Sequence, residues 1–353
     1  MSNPPDITTP AHRPWWQSPW LLILRLPLAA VNWWLTELRN LLYDWRWLPI
    51  NRVNAIVISV GNLSAGGSGK TLLVEALVNK LIDEDFSVGV VSRGYKRTTH
   101  GIQIVADDTQ LLLTPEEAGD EPYLLALNLP HIPIMVGEDK TSTCNAMIEQ
   151  FDVQVILLDD GFQHRKLYRD LDCVILNHTC KKLGPILPLG ELRESQRQLR
   201  RSDLHFYAKL PKDEIRQVAQ HDILTFGYPE YIINSHKSHL PLKEITGSIG
   251  AFCGIGKPQH FFDELHRLGV KPDVELVFPD HCAYDIADQA RLNSAGVELW
   301  ITTQKDWVKL PKEFVAEHHI YYLPVQLELH PDKWAEILTR VQVAQAELDG
   351  TAD

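Results

Sequence analysis

The chain has 353 residues, 44 % of them hydrophobic, enough for one large or two modest domains with sizeable cores. A formal net charge of −12 argues against nucleic acid as the main partner. The five cysteines (Cys144, Cys173, Cys180, Cys253, Cys282) are scattered, with no CxxC pair, so they suggest neither a zinc site nor a disulfide framework and suit a reducing compartment.

Seven of the ten tryptophans fall in the first 47 residues: Trp15, Trp16, Trp20, Trp33, Trp34, Trp45 and Trp47. Between Arg13 and Arg52 five arginines face only two acids, Glu37 and Asp44. The apolar run here starts too late for a secretory signal and lacks a small-residue cleavage site. Arg25 and Pro27 interrupt it, leaving it short of the ~20 residues that span a bilayer. Over residues 21–44 the polar residues Arg25, Asn32, Thr36, Glu37, Arg39, Asn40 and Asp44 mostly recur at steps of three, four and seven, which makes a helical stripe opposite a face of Leu, Ile, Val and Trp. Such a helix either packs on the protein's own core or lies in a membrane surface, where Trp favours the headgroup level. Large aromatics gathered near a chain end, where burial is hardest to arrange, favour the membrane surface.

Residues 55–60 (AIVISV) read as a buried strand. The run GNLSAGGSGKT follows at 61–71, then a helical pattern over 72–82. Strand, glycine-rich turn, Lys-Thr and helix is the context of a phosphate-binding loop. Ser64, Ala65, Gly66, Gly67, Ser68 and Gly69 would wrap backbone N–H groups around phosphate oxygens. Lys70 would reach the β- and γ-phosphates and the Thr71 hydroxyl a Mg²⁺ ion. Ser64 stands where the general pattern has glycine.

The next strand, 88–91, runs into SRGYKR, whose cations either meet phosphates or form a solvated turn. Ahead of an apolar helix at 123–129 lies AGDEP. Asp120 there is equally suited to cap the helix or to take a proton from an attacking hydroxyl. Residues 153–158 form another apolar strand, ending in Asp159, Asp160 and Gly161. Two adjacent carboxylates beside a phosphate-binding loop suit a metal ion, and the bland alternative is a solvated turn. Gln163 and His164 follow as polar site candidates, and Arg193, in a loop entering a charged helix, as a ligand for an anionic substrate.

A second α/β pattern begins near residue 210. A strand at 248–253 meets the turn GIGKP and a helix at 260–268, and a strand at 298–302 ends in TQKD. The expected organisation is a helical membrane-associating segment over 1–52, a phosphate-loop domain over 53–208, a smaller α/β domain over 209–328, and a terminal helix over 329–353 that returns to the first domain. The expected fold class is α/β, with a mostly parallel sheet of P-loop NTPase type.

Together these motifs resemble the tetraacyldisaccharide 4'-kinase family. The resemblance is carried by VGNLSAGGSGKT (60–71), SRGY (92–95), GDEP (119–122), DDGFQH (159–164), LPLGELRE (187–194), GIGKP (254–258), Asp280-His281 and TQKD (303–306), in order along nearly the whole chain. It implies a membrane-associated kinase at the cytoplasmic face of a bacterial inner membrane. Such a kinase uses ATP and Mg²⁺ to phosphorylate the 4'-hydroxyl of an acylated glucosamine disaccharide 1-phosphate, giving lipid IVA. No protein partner is implied. The resemblance further implies Asp120 as base supported by His281, Asp159 and Asp160 serving the metal with Thr71, and Arg93, Tyr95, Gln163, His164, Arg193 and Glu194 near the substrate. It accounts for Ser64, since the family has Ser or Thr there. The competing reading is a membrane-surface regulatory ATPase with no lipid acceptor. The lysine that such proteins carry before the Gly-Gly pair is replaced here by Ala65.

Overall fold

In the computed structural model the described residues are 22–350 (from residue 25 for side chains), apart from Gly66, residues 179–182 and His281. Trp15, Trp16, Trp20, Cys180, Gly66 and His281, all singled out above, therefore lie outside them.

Helix α1 (Leu22–Asp44) precedes β1 (Ile56–Asn62), α2 (Lys70–Asp83), β2 (Val88–Ser92), β3 (Gln103–Ala106), α3 (Pro115–Ala118), α4 (Asp120–Asn128), β4 (Ile134–Val136), α5 (Lys140–Phe151), β5 (Val155–Asp159), β6 (Leu171–Leu176) and β7 (Leu204–Tyr207). These strands make one seven-stranded sheet in the order β3-β4-β2-β5-β1-β6-β7. Every neighbouring pair is parallel except β3 with β4. Strands β1, β2, β4, β5 and β6 are buried along their whole length, because helices cover both faces. That is why they read as unbroken apolar runs rather than alternating ones. Leu73 and Leu77 of α2, together with Leu125 of α4, pack on one face against Ile58, Val90 and Leu157. Cys144 and Met147 of α5 pack on the other against Val91, Ile156 and Leu158.

The chain then forms β8 (Thr225–Gly227), β9 (Tyr231–Ile233), β10 (His239–Pro241), β11 (Ile249–Cys253), α6 (Pro258–Arg267), β12 (Val274–Val277), α7 (Ile286–Asn293), β13 (Leu299–Thr303), α8 (Gln304–Trp307), α9 (Lys312–Glu317), β14 (Ile320–Leu323), β15 (Gln326–Glu328) and α10 (Pro331–Gly350). A six-stranded sheet runs β10-β9-β14-β13-β11-β12, and β8 pairs antiparallel with β15 in a separate ribbon. Phe261, Phe262 and Leu265 of α6 cover one face of this sheet, and Phe278, Tyr284 and Phe314 cover the other around Phe252 and Trp300. Helix α10 returns to the first sheet, burying Ile337, Val341 and Ala344 in the same cluster as Ile56 and Val60. The two sheets also meet through α8 and α4, where the side-chain amides of Asn128 and Gln304 exchange hydrogen bonds of 3.2 and 2.6 Å.

Helix α1 is docked by its polar stripe. Arg25 donates to the Pro188 carbonyl at 2.8 Å and Asn32 to the Leu187 carbonyl at 2.8 Å. Glu37 accepts from Ser195 and Gln198, and Asp44 pairs with Arg165 and Arg200. Arg39 reaches Glu194, which is buried and also binds Arg201, each contact being 2.5 Å. The opposite face is left in solvent: Leu26, Leu28, Val31, Trp33, Trp34 and Leu35 are all exposed, and Trp45 and Trp47 continue the patch. Ordinary amphipathic helices bury the apolar stripe, so this one is inverted. Among the described residues no helix is long and apolar enough to cross a membrane.

The buried Glu194 carboxylate is therefore the tie between α1 and the body of the protein. Glu194→Ala leaves Arg201 buried without its partner, and a broken buried pair costs about 3–5 kcal/mol. Urea denaturation should show a loss of that size, accompanied by faster proteolysis in the segment joining α1 to β1.

Candidate active site

The parallel strands β1, β5 and β2 end side by side, and the loop after each contributes to one cleft, as expected at the carboxyl edge of an open α/β sheet. From β1 the chain turns through residues 63–69 into α2. Gly69 is the N-cap of α2 with φ 91°, a left-handed conformation that glycine adopts without strain. A Cβ there would also come within 2.9 Å of the Phe226 ring on β8. Ser68, Lys70 and Thr71 are buried, and Ser68 accepts a hydrogen bond from Asn62 at 3.1 Å.

The 187–194 loop zips onto this turn. Ser64 bridges Leu192, the Ala65 N–H donates to the Glu191 carbonyl at 2.8 Å, and the Arg193 N–H donates to the Leu63 carbonyl at 2.7 Å. Two motifs more than a hundred residues apart thus form one wall. Arg193 then reaches Asp160 at 2.7 Å, and Lys70 stands 3.5 Å from the other oxygen of Asp160. Burial works against ionising Asp160, but Lys70 and Arg193 outweigh it and hold its pKa below the ordinary value.

Asp159 is the more buried of the pair. One oxygen accepts from Ser92 at 3.1 Å, and its Oδ1 has no hydrogen-bond partner. Burial, reinforced by the Glu121 charge and only partly opposed by Lys70 and Lys140, raises its pKa to about 6. Lys140, at the start of α5, lies beneath both aspartates and donates to the carbonyls of Asp159 and Asp160 at 2.5 and 2.8 Å. Its pKa is lowered by burial, against the pull of Asp160 and Asp159. His164 sits nearby with Nε2 buried and unpartnered. Burial and then Lys140 bring its pKa down to about 4, so the ring is neutral at physiological pH. Gln163 donates to the Asn62 carbonyl at 2.9 Å, bracing the end of β1.

Asp120 is the first residue of α4. The N-cap is Gly119, at φ 91°, so the capping role weighed for Asp120 is not the one it has. Its carboxylate is 3.6 Å from Lys309, while the neighbouring Glu121 pairs with Lys305 at 3.0 Å. Arg93 and Tyr95 are exposed on the loop after β2. Glu194 stands apart from the other candidates: it is buried with its oxygens on Arg39 and Arg201, so it holds Arg193's loop rather than facing the cleft. Lys140, Glu121, Lys305 and Lys309 escaped the sequence reading. The last three lie within or beside the motifs named above, but only the fold supplies their partners, and Lys140 carried no local signal.

The family model for tetraacyldisaccharide-1-P 4'-kinase matches residues 20–342. This chain belongs to that family. Among curated relatives it is 38 % identical over 296 residues to the tetraacyldisaccharide 4'-kinase of Aquifex aeolicus, covering 81 % of this chain and 89 % of the relative. It is 36 % identical over 306 residues to that of Pelobacter propionicus, covering 82 % and 83 %. Among solved structures it resembles the "apo" form of LpxK from Aquifex aeolicus in complex with ATP, with a TM-score of 0.73 at 33 % identity, covering 90 % of this chain and 98 % of that one.

The donor set suits the metal ion that travels with a nucleotide. Among the described residues no group of three or more His, Cys, Asp or Glu could hold a metal by itself. A nucleotide-borne Mg²⁺ needs only one or two carboxylates, with phosphates and water completing the shell. The Thr71 hydroxyl, the unpartnered Oδ1 of Asp159 and the Asp160 carboxylate answer that need.

An acid whose pKa rises on folding binds its proton more tightly in the native state. Asp159 goes from 3.8 to about 6, so its contribution to stability falls as pH rises through that window, and the full cost stands above pH 6. Asp159→Asn removes the cost. Chemical denaturation of the nucleotide-free protein should show the variant more stable by on the order of 3 kcal/mol at pH 7.5, with little difference left at pH 4.

Proposed function

We infer that the protein transfers the γ-phosphate of ATP to the 4'-hydroxyl of an acylated glucosamine disaccharide 1-phosphate, forming lipid IVA. The observation that carries this reading is the Lys70–Asp160–Arg193 cluster at the end of β1 and β5, set in a chain that matches the kinase family over 323 residues (20 through 342). The turn leading into α2 offers its backbone N–H groups to the phosphates, apart from that of Ala65, which the Glu191 carbonyl takes, and the start of α2 adds a favourable dipole. Lys70 leaves Asp160 for the β- and γ-phosphates. Mg²⁺, when bound through Thr71, Asp159 and Asp160, neutralises charge on the phosphate oxygens. Lys140 fixes the backbone from which both carboxylates project.

A sugar hydroxyl is a poor nucleophile, so a carboxylate that accepts its proton speeds attack. Asp159 and Asp160 are engaged with cations and metal, which weakens them as bases. Asp120 lies across the cleft at the start of α4, with Lys309 at 3.6 Å and no metal to hold in this arrangement. It is the base in this reading, and His281 orients it. Arg93, Tyr95, Gln163, His164 and Arg193 surround the anionic sugar, and Glu194 acts on it only by holding the Arg193 loop.

The inverted α1 supplies the membrane contact. Its polar stripe is spent on the protein, so the Trp- and Leu-rich face is presented to lipid, and the acceptor lies in the same layer. The protein thereby works at the cytoplasmic face of the inner membrane. The segments 1–52, 53–208, 209–328 and 329–353 are, in this reading, the membrane segment, the kinase domain, the smaller α/β domain and the returning helix.

Transfer of label from γ-labelled ATP to a monophosphorylated lipid disaccharide in detergent micelles tests the reaction. Lys70→Ala should reduce it at least ~10²-fold. A folded Lys70→Ala protein with ordinary turnover sinks the assignment. Asp120→Asn keeps the size and removes the basicity, so kcat should fall roughly 10²–10⁴-fold while ATP affinity holds. His281→Ala should lose less, and not additively.

Deleting residues 1–47 should release the protein from vesicles in a flotation assay and raise KM for micellar lipid more than for ATP. Continued flotation would place the membrane contact on another surface.

A further inference from the structure

Strands β11 and β13 are adjacent and parallel, and each is followed by a lysine, Lys257 in the turn after β11 and Lys305 in α8 directly after β13. Asp306 ties the turn after β11 to the start of α8. Its Oδ2 accepts from the Gly254 N–H at 2.9 Å and from the Thr303 hydroxyl at 2.7 Å. From this platform Lys305 crosses to the first sheet and meets Glu121 at 3.0 Å. Glu121 is within electrostatic reach of Lys70 and Asp160, and Lys305 of Asp159 and Asp120. Through its 3.0 Å contact with Glu121, Lys305 therefore shares one charged neighbourhood with the phosphate-loop lysine, the paired aspartates and the carboxylate assigned as base.

Two more cations lie in the same neighbourhood. Lys209, just past β7, lies 5.8 Å from the centroid of the Phe226 ring, and that ring covers Gly69 at the start of α2. Neither Lys209 nor Lys257 has an ion-pair partner among the described residues. The fields of Lys257 and Lys305, after burial, lower the pKa of Lys209, so the three lysines share one neighbourhood. Positive charge gathered beyond what the local carboxylates neutralise is what a polyanion site requires.

The plain alternative is that Lys305 and Glu121 merely latch the two sheets. The paired amides of Asn128 and Gln304 already make that junction. The Lys305 and Glu121 side chains are 42 % and 41 % exposed, so solvent screens the pair and lessens its worth as a fastener, although both still lose part of their hydration in the cleft.

We propose that Lys305 is a ligand of the terminal phosphate of ATP, held on Glu121 before nucleotide arrives and moving to the γ-phosphate beside Lys70 when it binds. This rests on the kinase reading and deepens it. The lysine stays protonated throughout. The acceptor oxygen bonds to the γ-phosphorus, the bridging oxygen leaves with ADP, and the acceptor's proton passes to Asp120. Burial alone would lower the Lys305 pKa, but Glu121 outweighs it and leaves it raised, so the cation is available in its charged form. A cation reaching in from a second lobe is well suited to stabilise a phosphoryl group in flight.

The test is equilibrium binding of ATP and of ADP, without lipid acceptor, to the full chain and to Lys305→Ala, Lys305→Arg and Glu121→Gln. Loss of a charge-assisted contact should weaken ATP about tenfold or more in Lys305→Ala while ADP affinity stays unchanged. Lys305→Arg should recover part of the loss. Glu121→Gln should tighten ATP, since it releases the competing partner. Equal losses for ATP and ADP, or matching losses in Lys305→Ala and Glu121→Gln, would show a latch and overturn the proposal. Unchanged ATP affinity with a raised KM for the lipid acceptor would also overturn it, assigning Lys305 to the acceptor's 1-phosphate. Should the unaltered protein bind ATP and phosphorylate no lipid disaccharide, the kinase reading falls, and the ATP-against-ADP comparison still decides the Lys305 contact.

Discussion

The cleft depends on a buried ammonium group. Lys140 reaches under the end of β5 and takes the carbonyls of Asp159 and Asp160, which lets two consecutive carboxylates stand at one strand end. Without a cation beneath them the pair would repel, and one would stay protonated. The cations above, Lys70 and Arg193, engage Asp160 alone. The result is asymmetric: Asp160 is held below the ordinary carboxylate pKa, while burial raises Asp159 to about 6. Lys70 and Arg193 on one aspartate, and burial with the Glu121 charge on the other, thus set the two apart above a backbone that Lys140 holds.

The 187–194 loop transmits a second constraint. It lies between α1 and the phosphate-binding turn, fastened to α1 through the Pro188 and Leu187 carbonyls and to the turn through Glu191 and Arg193. Glu194 closes the circuit by holding Arg39 and Arg201 together. Whatever α1 rests upon is therefore two hydrogen-bonded contacts from the phosphate site. The exposed apolar helix and the phosphate-binding turn share one short loop.

Much of this is legible in the amino-acid sequence. The strands of the first sheet are buried on both faces, so β1, β2 and β5 announce themselves as apolar runs. A glycine-rich turn set between such a strand and a Lys-Thr helix start points directly to phosphate. The polar stripe of α1 is equally plain, because its period is that of a helix. Some features are not readable in this way. Strands β8 and β15 have three residues each and exist only because they pair across about a hundred positions. Glu194 sits in a motif beside Arg193, and only its burial between Arg39 and Arg201 separates the two roles. Asp120 is balanced between cap and base in the sequence, and the fold gives the cap to Gly119. For Glu194 and the short strands the missing information is a partner distant in sequence, and for Asp120 it is a backbone angle. Local pattern encodes neither.

The return of α10 has a consequence for the order in which the protein comes into being. Ile337, Val341 and Ala344 complete the core around β1, although nearly three hundred residues separate them from it along the chain. Synthesis runs from the other end, so α1, with its tryptophan face, leaves the ribosome first and the last piece of the nucleotide lobe leaves last. The chain has this exposed apolar helix face long before it has a closed core beneath the phosphate-binding turn. If α1 is the membrane contact proposed above, attachment precedes competence, and the kinase is completed where an acylated acceptor would lie.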